Sequence, residues 1–258
     1  MSAISDSPII DPKSRFHPVY SRAGMVVSQE VIASRIGADI LALGGNAVDA
    51  AVATGFALAV TLPRAGNLAG GGFMLIHLTR ESKTIALDFR EVAPARASRD
   101  MFLNLHGEVD NQLARSSIKS SGVPGTVAGL LHAHEKYGQL PLKQVIQPAI
   151  DLASKGIIVN VDLAHSIVSR AKRLTKNSAT KKYYFKSSDE FYKPGDTLVQ
   201  TDLADTIRRI AADGHAGFYE NKTAKLIVEE MMRSGGLITL DDLKNYRVVE
   251  RKPICVDY

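Results

Sequence analysis

The tetrad "DFRE", Asp88 to Glu91, closes a short apolar run and sets a guanidinium between two carboxylates. An arginine at a strand end can hold a substrate carboxylate through two parallel hydrogen bonds, which a lysine cannot reproduce. The same residues could equally form an internal ion pair of Arg90 with Asp88 or Glu91, and composition leaves both readings open. Upstream, "AGNLAGGGFMLIHL" places Gly70, Gly71 and Gly72 directly ahead of an apolar stretch. A dinucleotide loop needs G-x-G-x-x-G after a strand and opening a helix, and a P-loop needs Gly-Lys-Ser/Thr. Here the glycines follow a helical pattern and lead into a strand. They point to close approach of backbone to other backbone or to a buried ligand, and away from phosphate.

Other chemistries find little support. The 7 histidines are scattered, and His132 and His134, two apart, face different sides of a helix, so no metal centre is expected. A single cysteine, Cys255, excludes an internal disulfide and any multi-cysteine metal site. There is no G-x-S-x-G elbow, and no Ser/His/Asp set can be chosen from spacing. Ser and Thr are plentiful, but none is singled out as a nucleophile.

Periodicity shows the elements that must position these residues. Ile32, Ile36 and Ile40 recur four apart, predicting a helix with Ser28 as N-cap, Glu30 in its first turn and Gly44-Gly45 beyond its end. Asn46 caps a second predicted helix running to near Pro63, with Asp49 in the first turn and apolar residues all round. "FMLIHL" and "KTIALDF", joined by "TRES", read as an antiparallel hairpin whose second strand delivers "DFRE". A turn at Pro124-Gly125 leads into a helix ended by Gly138, and the next helix, entered through Pro141, is kinked or divided at Pro148. Further helical patterns lie at 160–174, 201–213 and 221–234, and Thr239 with Asp242 forms a capping box. "RVVERKPICVDY" reads as a strand that simply ends, and Pro253 to Tyr258 alternate as though a sheet or hairpin should continue, so the chain looks truncated.

With 258 residues, 45% of them hydrophobic, the chain can bury a sizeable core as one large domain or two small ones. The net charge of +5 is a mild surface bias. Arg170, Lys172, Arg173, Lys176, Lys181, Lys182 and Lys186 form an acid-free basic run beside Tyr183, Tyr184 and Phe185. It reads as a solvated helix end and loop in preference to a nucleic-acid surface. The longest apolar segment, "AVDAAVATGFALAV", is shorter than the roughly 20 residues of a membrane span and contains Asp49. No apolar stretch follows a basic start at the N-terminus, so no signal peptide is visible.

Several stretches, in order, resemble the gamma-glutamyltranspeptidase (glutathione hydrolase) family. They are "GMVVSQ", "GGNAVDAAVATGFALAVTLPRAGNLAGGGFMLIHL", "ALDFREVAPARASRDMF", "SSGVPGTVAGLLHAHEKYG", "PLKQVIQPAIDLASKG", "GDTLVQTDLADTI", "GFYENKTAKLI" and "GGLITLDDLKNYRVVERKPI", from about Phe16 onward. The resemblance implies an α+β fold of the N-terminal nucleophile hydrolase type, a four-layer αββα sandwich. The chain is expected to hold only its N-terminal, large-subunit portion, with 1–23 an irregular lead-in and 24–258 a partial large-subunit domain.

The family's precursor cleaves itself, and the new N-terminal threonine of the small subunit attacks a gamma-glutamyl amide, passing the acyl group to water or to an amino-acid amine. By this resemblance Arg90 holds the α-carboxylate of the gamma-glutamyl group, Asp88 and Glu91 orient Arg90, and Gly70, Gly71 and Gly72 are structural. Ala69 stands where a glycine is frequent. The nucleophilic threonine lies downstream, so this segment alone is expected to be inactive. The implied partners are glutathione or another gamma-glutamyl compound and a small subunit from the same precursor, with no cofactor, no metal, no nucleic acid and no membrane span. A periplasmic or secreted location follows from the family, against the lack of a visible signal peptide. The alternatives are a truncated non-catalytic binding domain using the basic segment, and the large subunit of a related beta-lactam acylase.

Overall fold

The computed structural model describes residues 20–187 and 190–256. Of the expected lead-in, residues 1–19 lie outside these, as do the last two residues of the tail, and 20–23 carry no helix or strand. Two helices come first, α1 (Val31–Ala42) and α2 (Ala47–Thr61), packed against each other. The α1 N-cap is Glu30, whose carboxylate accepts the Ala33 N–H at 2.9 Å. Ser28, the expected cap, instead donates its hydroxyl to the Glu30 carbonyl at 2.8 Å and bonds the Ser34 hydroxyl at 2.7 Å. Two residues able to cap stand two apart, and the longer side chain reaches the orphan amide.

In α2 the Asn46 side chain accepts the Val48 and Asp49 N–H groups while Asp49 returns a bond to the Asn46 N–H, a complete capping box. Val52, Ala53, Phe56, Ala57 and Val60 are almost fully buried, so α2 is covered on several sides.

The hairpin follows as β1 (Phe73–Leu78) and β2 (Lys83–Asp88), antiparallel with Phe73 opposite Asp88 and Leu78 opposite Lys83. Ser82, in the left-handed region at φ 48°, closes its turn. Then come α3 (Asn111–Ser116), α4 (Thr126–Tyr137) and α5 (Leu142–Lys155). Pro148 neither divides α5 nor ends it. The flanking turns bury Val145, Ile146, Ala149 and Ile150, and α5 packs on α2 and on a later helix. That packing outweighs the single hydrogen bond Pro148 cannot make.

A two-residue β3 (Ile157–Ile158) precedes α6 (Val161–Ser169), α7 (Ala171–Leu174) and α8 (Ser178–Tyr184). The single helix expected over 160–174 is thus broken at Arg170. The chain continues through β4 (Thr197–Leu198), paired with β3, to α9 (Thr201–Asp213), α10 (Ala216–Tyr219), α11 (Lys222–Ser234) and α12 (Leu240–Lys244). It reaches β5 (Val249–Arg251) last. Of the expected tail strand only Val249–Arg251 is a strand: β5 lies antiparallel to β2, giving the sheet order β1-β2-β5, and residues 252–256 carry no strand.

One face of this sheet, with Ile76, Ile85 and Leu87, is buried in the core. The other presents Phe73 at 68% and Leu75 at 71% exposure. No helix among the described residues is long and apolar enough to cross a membrane.

Candidate functional site

Arg90 lies two residues beyond the end of β2, and the rigid hairpin fixes where it emerges. Its main chain is held from several sides. The Arg90 N–H donates to Asp88 Oδ1 at 3.1 Å, and its carbonyl accepts the Tyr246 hydroxyl at 2.8 Å. Next door, Phe89 and Gly72 exchange N–H···O bonds of 3.0 and 3.2 Å, extending the hairpin by one pair.

The glycines make this corner sterically possible. A Cβ on Gly71 would sit 2.6 Å from the Phe89 carbonyl oxygen, 2.7 Å from the Glu91 nitrogen and 2.8 Å from the Arg90 Cα. Real Cβ contacts are not that short, so the 71 strand entrance and the 89–91 backbone lie together only because position 71 has no side chain. Gly72 faces the Phe89 ring, which a Cβ would meet at 2.9 Å. Gly70 contributes its carbonyl, which accepts the Gly125 and Thr126 N–H groups at 2.7 and 2.9 Å and so satisfies the start of α4.

The Arg90 side chain is 60% exposed, and its Nε lies 3.3 Å from Glu91 Oε2. That pair is close but poorly aligned, because Glu91 Oε2 is buried and has no hydrogen-bond partner. Glu91 is the only carboxylate within ion-pair distance of the guanidinium among the described residues. The Arg90 guanidinium carbon also stands 5.9 Å from the centre of the exposed Phe73 ring. Asp88 does not touch the guanidinium by hydrogen bond. One oxygen takes the Arg90 amide and the other takes Arg251 Nε at 2.7 Å. The Arg90 backbone N–H, then the Arg251 guanidinium, hold the Asp88 carboxyl below its usual range.

The deeper support comes from residues that sequence reasoning did not single out. Tyr246, only 3% exposed, stacks its ring on Tyr219 at 5.9 Å between centroids. Burial, with the charges of Asp88 and Glu91 nearby, pushes its hydroxyl pKa up to about 12, so it remains a donor. The Tyr219 hydroxyl donates to the Pro124 carbonyl at 2.9 Å and accepts the Ala128 N–H at 3.2 Å, capping α4 from a distance. Nothing local marks these tyrosines, since Tyr246 lies 156 residues from Arg90.

A cleft of about 680 Å³ opens beside this corner, lined by Val92, Ala95, Arg96, Asp242, Tyr246 and Arg247 among others. A larger hollow of about 870 Å³ between α1 and α5 is lined by none of the site residues named above. Among the described residues no group of three His, Cys, Asp or Glu side chains stands together as a metal site. In the basic segment Phe185 is buried against Phe191, while Tyr183 is partly exposed with its hydroxyl bonded to Asp202.

The α+β arrangement is the large-subunit portion of an N-terminal nucleophile hydrolase fold. The gamma-glutamyltranspeptidase profile matches residues 33–258, and the chain belongs to that family. It is 50% identical over 243 residues to the glutathione hydrolase proenzyme of Escherichia coli (strain K12), a match covering 94% of this chain and 42% of that protein. The crystal structure of Helicobacter pylori gamma-glutamyltranspeptidase superposes with a TM-score of 0.91 at 45% identity, covering 93% of this chain and 69% of that one. The Pseudomonas nitroreducens gamma-glutamyltranspeptidase complexed with L-DON gives 0.85 at 40% identity, with the same coverage. The chain thus spans about two fifths of the length of the curated relatives it matches.

Proposed function

We propose that this chain supplies the carboxylate-anchoring part of a site that cleaves gamma-glutamyl amides such as glutathione, completed by a small subunit cut from the same precursor. The observation that carries the reading is the Arg90 guanidinium, largely exposed on a tightly held peptide and met by a single, poorly aligned carboxylate. Such a group can take an incoming α-carboxylate without first giving up a well-formed bidentate pair. Asp88 fixes the Arg90 peptide, Glu91 limits where the guanidinium can swing, and Gly70 to Gly72 let the corner close.

The chemistry belongs to a threonine outside these residues, and this segment alone is inactive. Its hydroxyl attacks the amide carbonyl while its own α-amine takes the proton and passes it to the departing amine. The resulting ester is resolved by water, giving glutamate, or by an amino-acid amine, giving a new gamma-glutamyl amide. The sheet face that exposes Phe73 and Leu75 is the side on which a second layer would stack.

The test is intact mass with N-terminal sequencing of every band that co-purifies with this polypeptide from its native source. A second, smaller subunit beginning with threonine supports the reading. A lone species without one overturns it, and a substrate panel favouring beta-lactam side chains over glutathione redirects it to the acylases.

A further inference from the structure

We infer that Tyr246 and the Arg251–Asp88 pair are positioning residues that lock the Arg90 peptide from both sides, so that the segment from Thr239 to Arg251 sets the aim of the guanidinium. The inference rests on Arg90 being the substrate-carboxylate anchor. It goes beyond that reading by assigning the aim of Arg90 to residues far away in the chain.

Three contacts tie the late segment to the 88–95 stretch. Arg251 Nε donates to Asp88 Oδ2 at 2.7 Å, the Tyr246 hydroxyl donates to the Arg90 carbonyl at 2.8 Å, and Asp242 Oδ1 accepts the Ala95 N–H at 2.8 Å. With Asp88 Oδ1 on the Arg90 N–H, both polar groups of the Arg90 main chain are occupied by side chains outside any regular ladder. Backbone geometry at a strand exit is otherwise free to rotate, and rotation of the 90–91 peptide would sweep the guanidinium across the surface.

Tyr246 itself cannot drift. Its ring rests on Tyr219, and its hydroxyl sits against Gly125, where an added Cβ would come within 2.2 Å of it and within 2.0 Å of the Phe89 carbonyl. Gly125 is therefore the gap through which the tyrosine reaches the peptide. On the strand side, β5 pairs Val249 with Asp88 and Arg251 with Ala86, which keeps the Arg251 guanidinium beside the Asp88 carboxylate.

The proposal separates positioning from packing by where the effect appears. In the full enzyme of which this chain is part, Tyr246→Phe keeps the ring stack and removes only the hydroxyl. The expected result is a rise of about fivefold in KM for the gamma-glutamyl donor with kcat changed by less than about twofold. In an Arg90→Ala background the same substitution should change KM by less than about twofold, because the group it aims is gone.

Arg251→Ala, at an exposed edge, provides a second variant that does not disturb the core, with a smaller KM rise of the same kind. If Arg90→Ala raises KM while Tyr246→Phe and Arg251→Ala leave it unchanged, the positioning role is overturned and the anchor stands. Equal effects of Tyr246→Phe with and without Arg90 overturn it as well. An Arg90→Ala enzyme with unaltered KM overturns the anchor itself, and the positioning role with it.

Discussion

Asp88 and Arg251 meet at 2.7 Å across 163 positions of chain, joining the end of β2 to the edge strand β5. The Asp88 carboxyl is held below its ordinary value first by the Arg90 N–H and then by Arg251. A carboxylate depressed in the folded state adds stability that is complete well above the unfolded value of about 3.9 and is lost as pH falls through the folded value. The corner should therefore loosen only in strong acid. Carbon-detected NMR titration of Asp88 should show its midpoint moving up part of the way in Arg251→Ala, the Arg90 amide retaining the rest. An unmoved midpoint would show that Arg251 lends the carboxylate no charge.

Asp49 is fully buried and links two elements that are distant in sequence. One carboxylate serves the Asn46 N–H at 2.9 Å and the Gln139 N–H at 3.0 Å, with Leu140 N–H at 3.3 Å. It thus ties the start of α2 to the turn after α4. Asp49→Ala strips the acceptor from these amides and should lower unfolding stability by about 3 kcal/mol. Asp49→Asn, which keeps an accepting oxygen, should lose less. Equal urea midpoints for the two variants would contradict the hydrogen-bond account.

The parts of this fold that were legible beforehand are those set by neighbours in sequence. Asn46 and Asp49, the hairpin through "TRES" and the Thr239–Asp242 box all depend on residues within a few positions of one another. Where two local signals competed, sequence could not arbitrate, as with Ser28 and Glu30 at the start of α1. Tertiary packing decided Pro148, whose helix is buried on either side of it. At the site, Arg90 stood out because a charged cluster at a strand end is visible in sequence. Tyr246, Tyr219 and Gly125 did not, because each acts on main chain far away in sequence, and an ordinary tyrosine or glycine carries no mark of such a contact.

Arg90→Lys tests the anchor without removing its charge. Lysine is a point donor on a flexible stem and cannot match a carboxylate with a planar fork. In the assembled enzyme KM for glutathione should rise by an amount equivalent to about 1.5–3 kcal/mol, with kcat little changed. Steady-state kinetics with unchanged KM would remove Arg90 from substrate recognition.

Gly71→Ala tests whether the glycine loop and the anchor form one unit. The backbone of Gly71 is not in the left-handed region, so alanine meets no conformational penalty there. The obstacle is space, because the new methyl would be driven against the Phe89 carbonyl, the Arg90 Cα and the Glu91 nitrogen, all of them main chain. Main chain cannot rotate away as a side-chain tip can, so the 89–91 peptides or the 70–72 strand entrance must shift. Overpacking of this kind costs about 1–3 kcal/mol. Because the displaced atoms carry Arg90, the loss of stability should be accompanied by a rise in KM for the gamma-glutamyl donor, measured on the same preparation. A variant that is less stable but binds donor normally would mean that the strain relaxes toward residues 70–72, and that the loop supports the fold without setting the anchor.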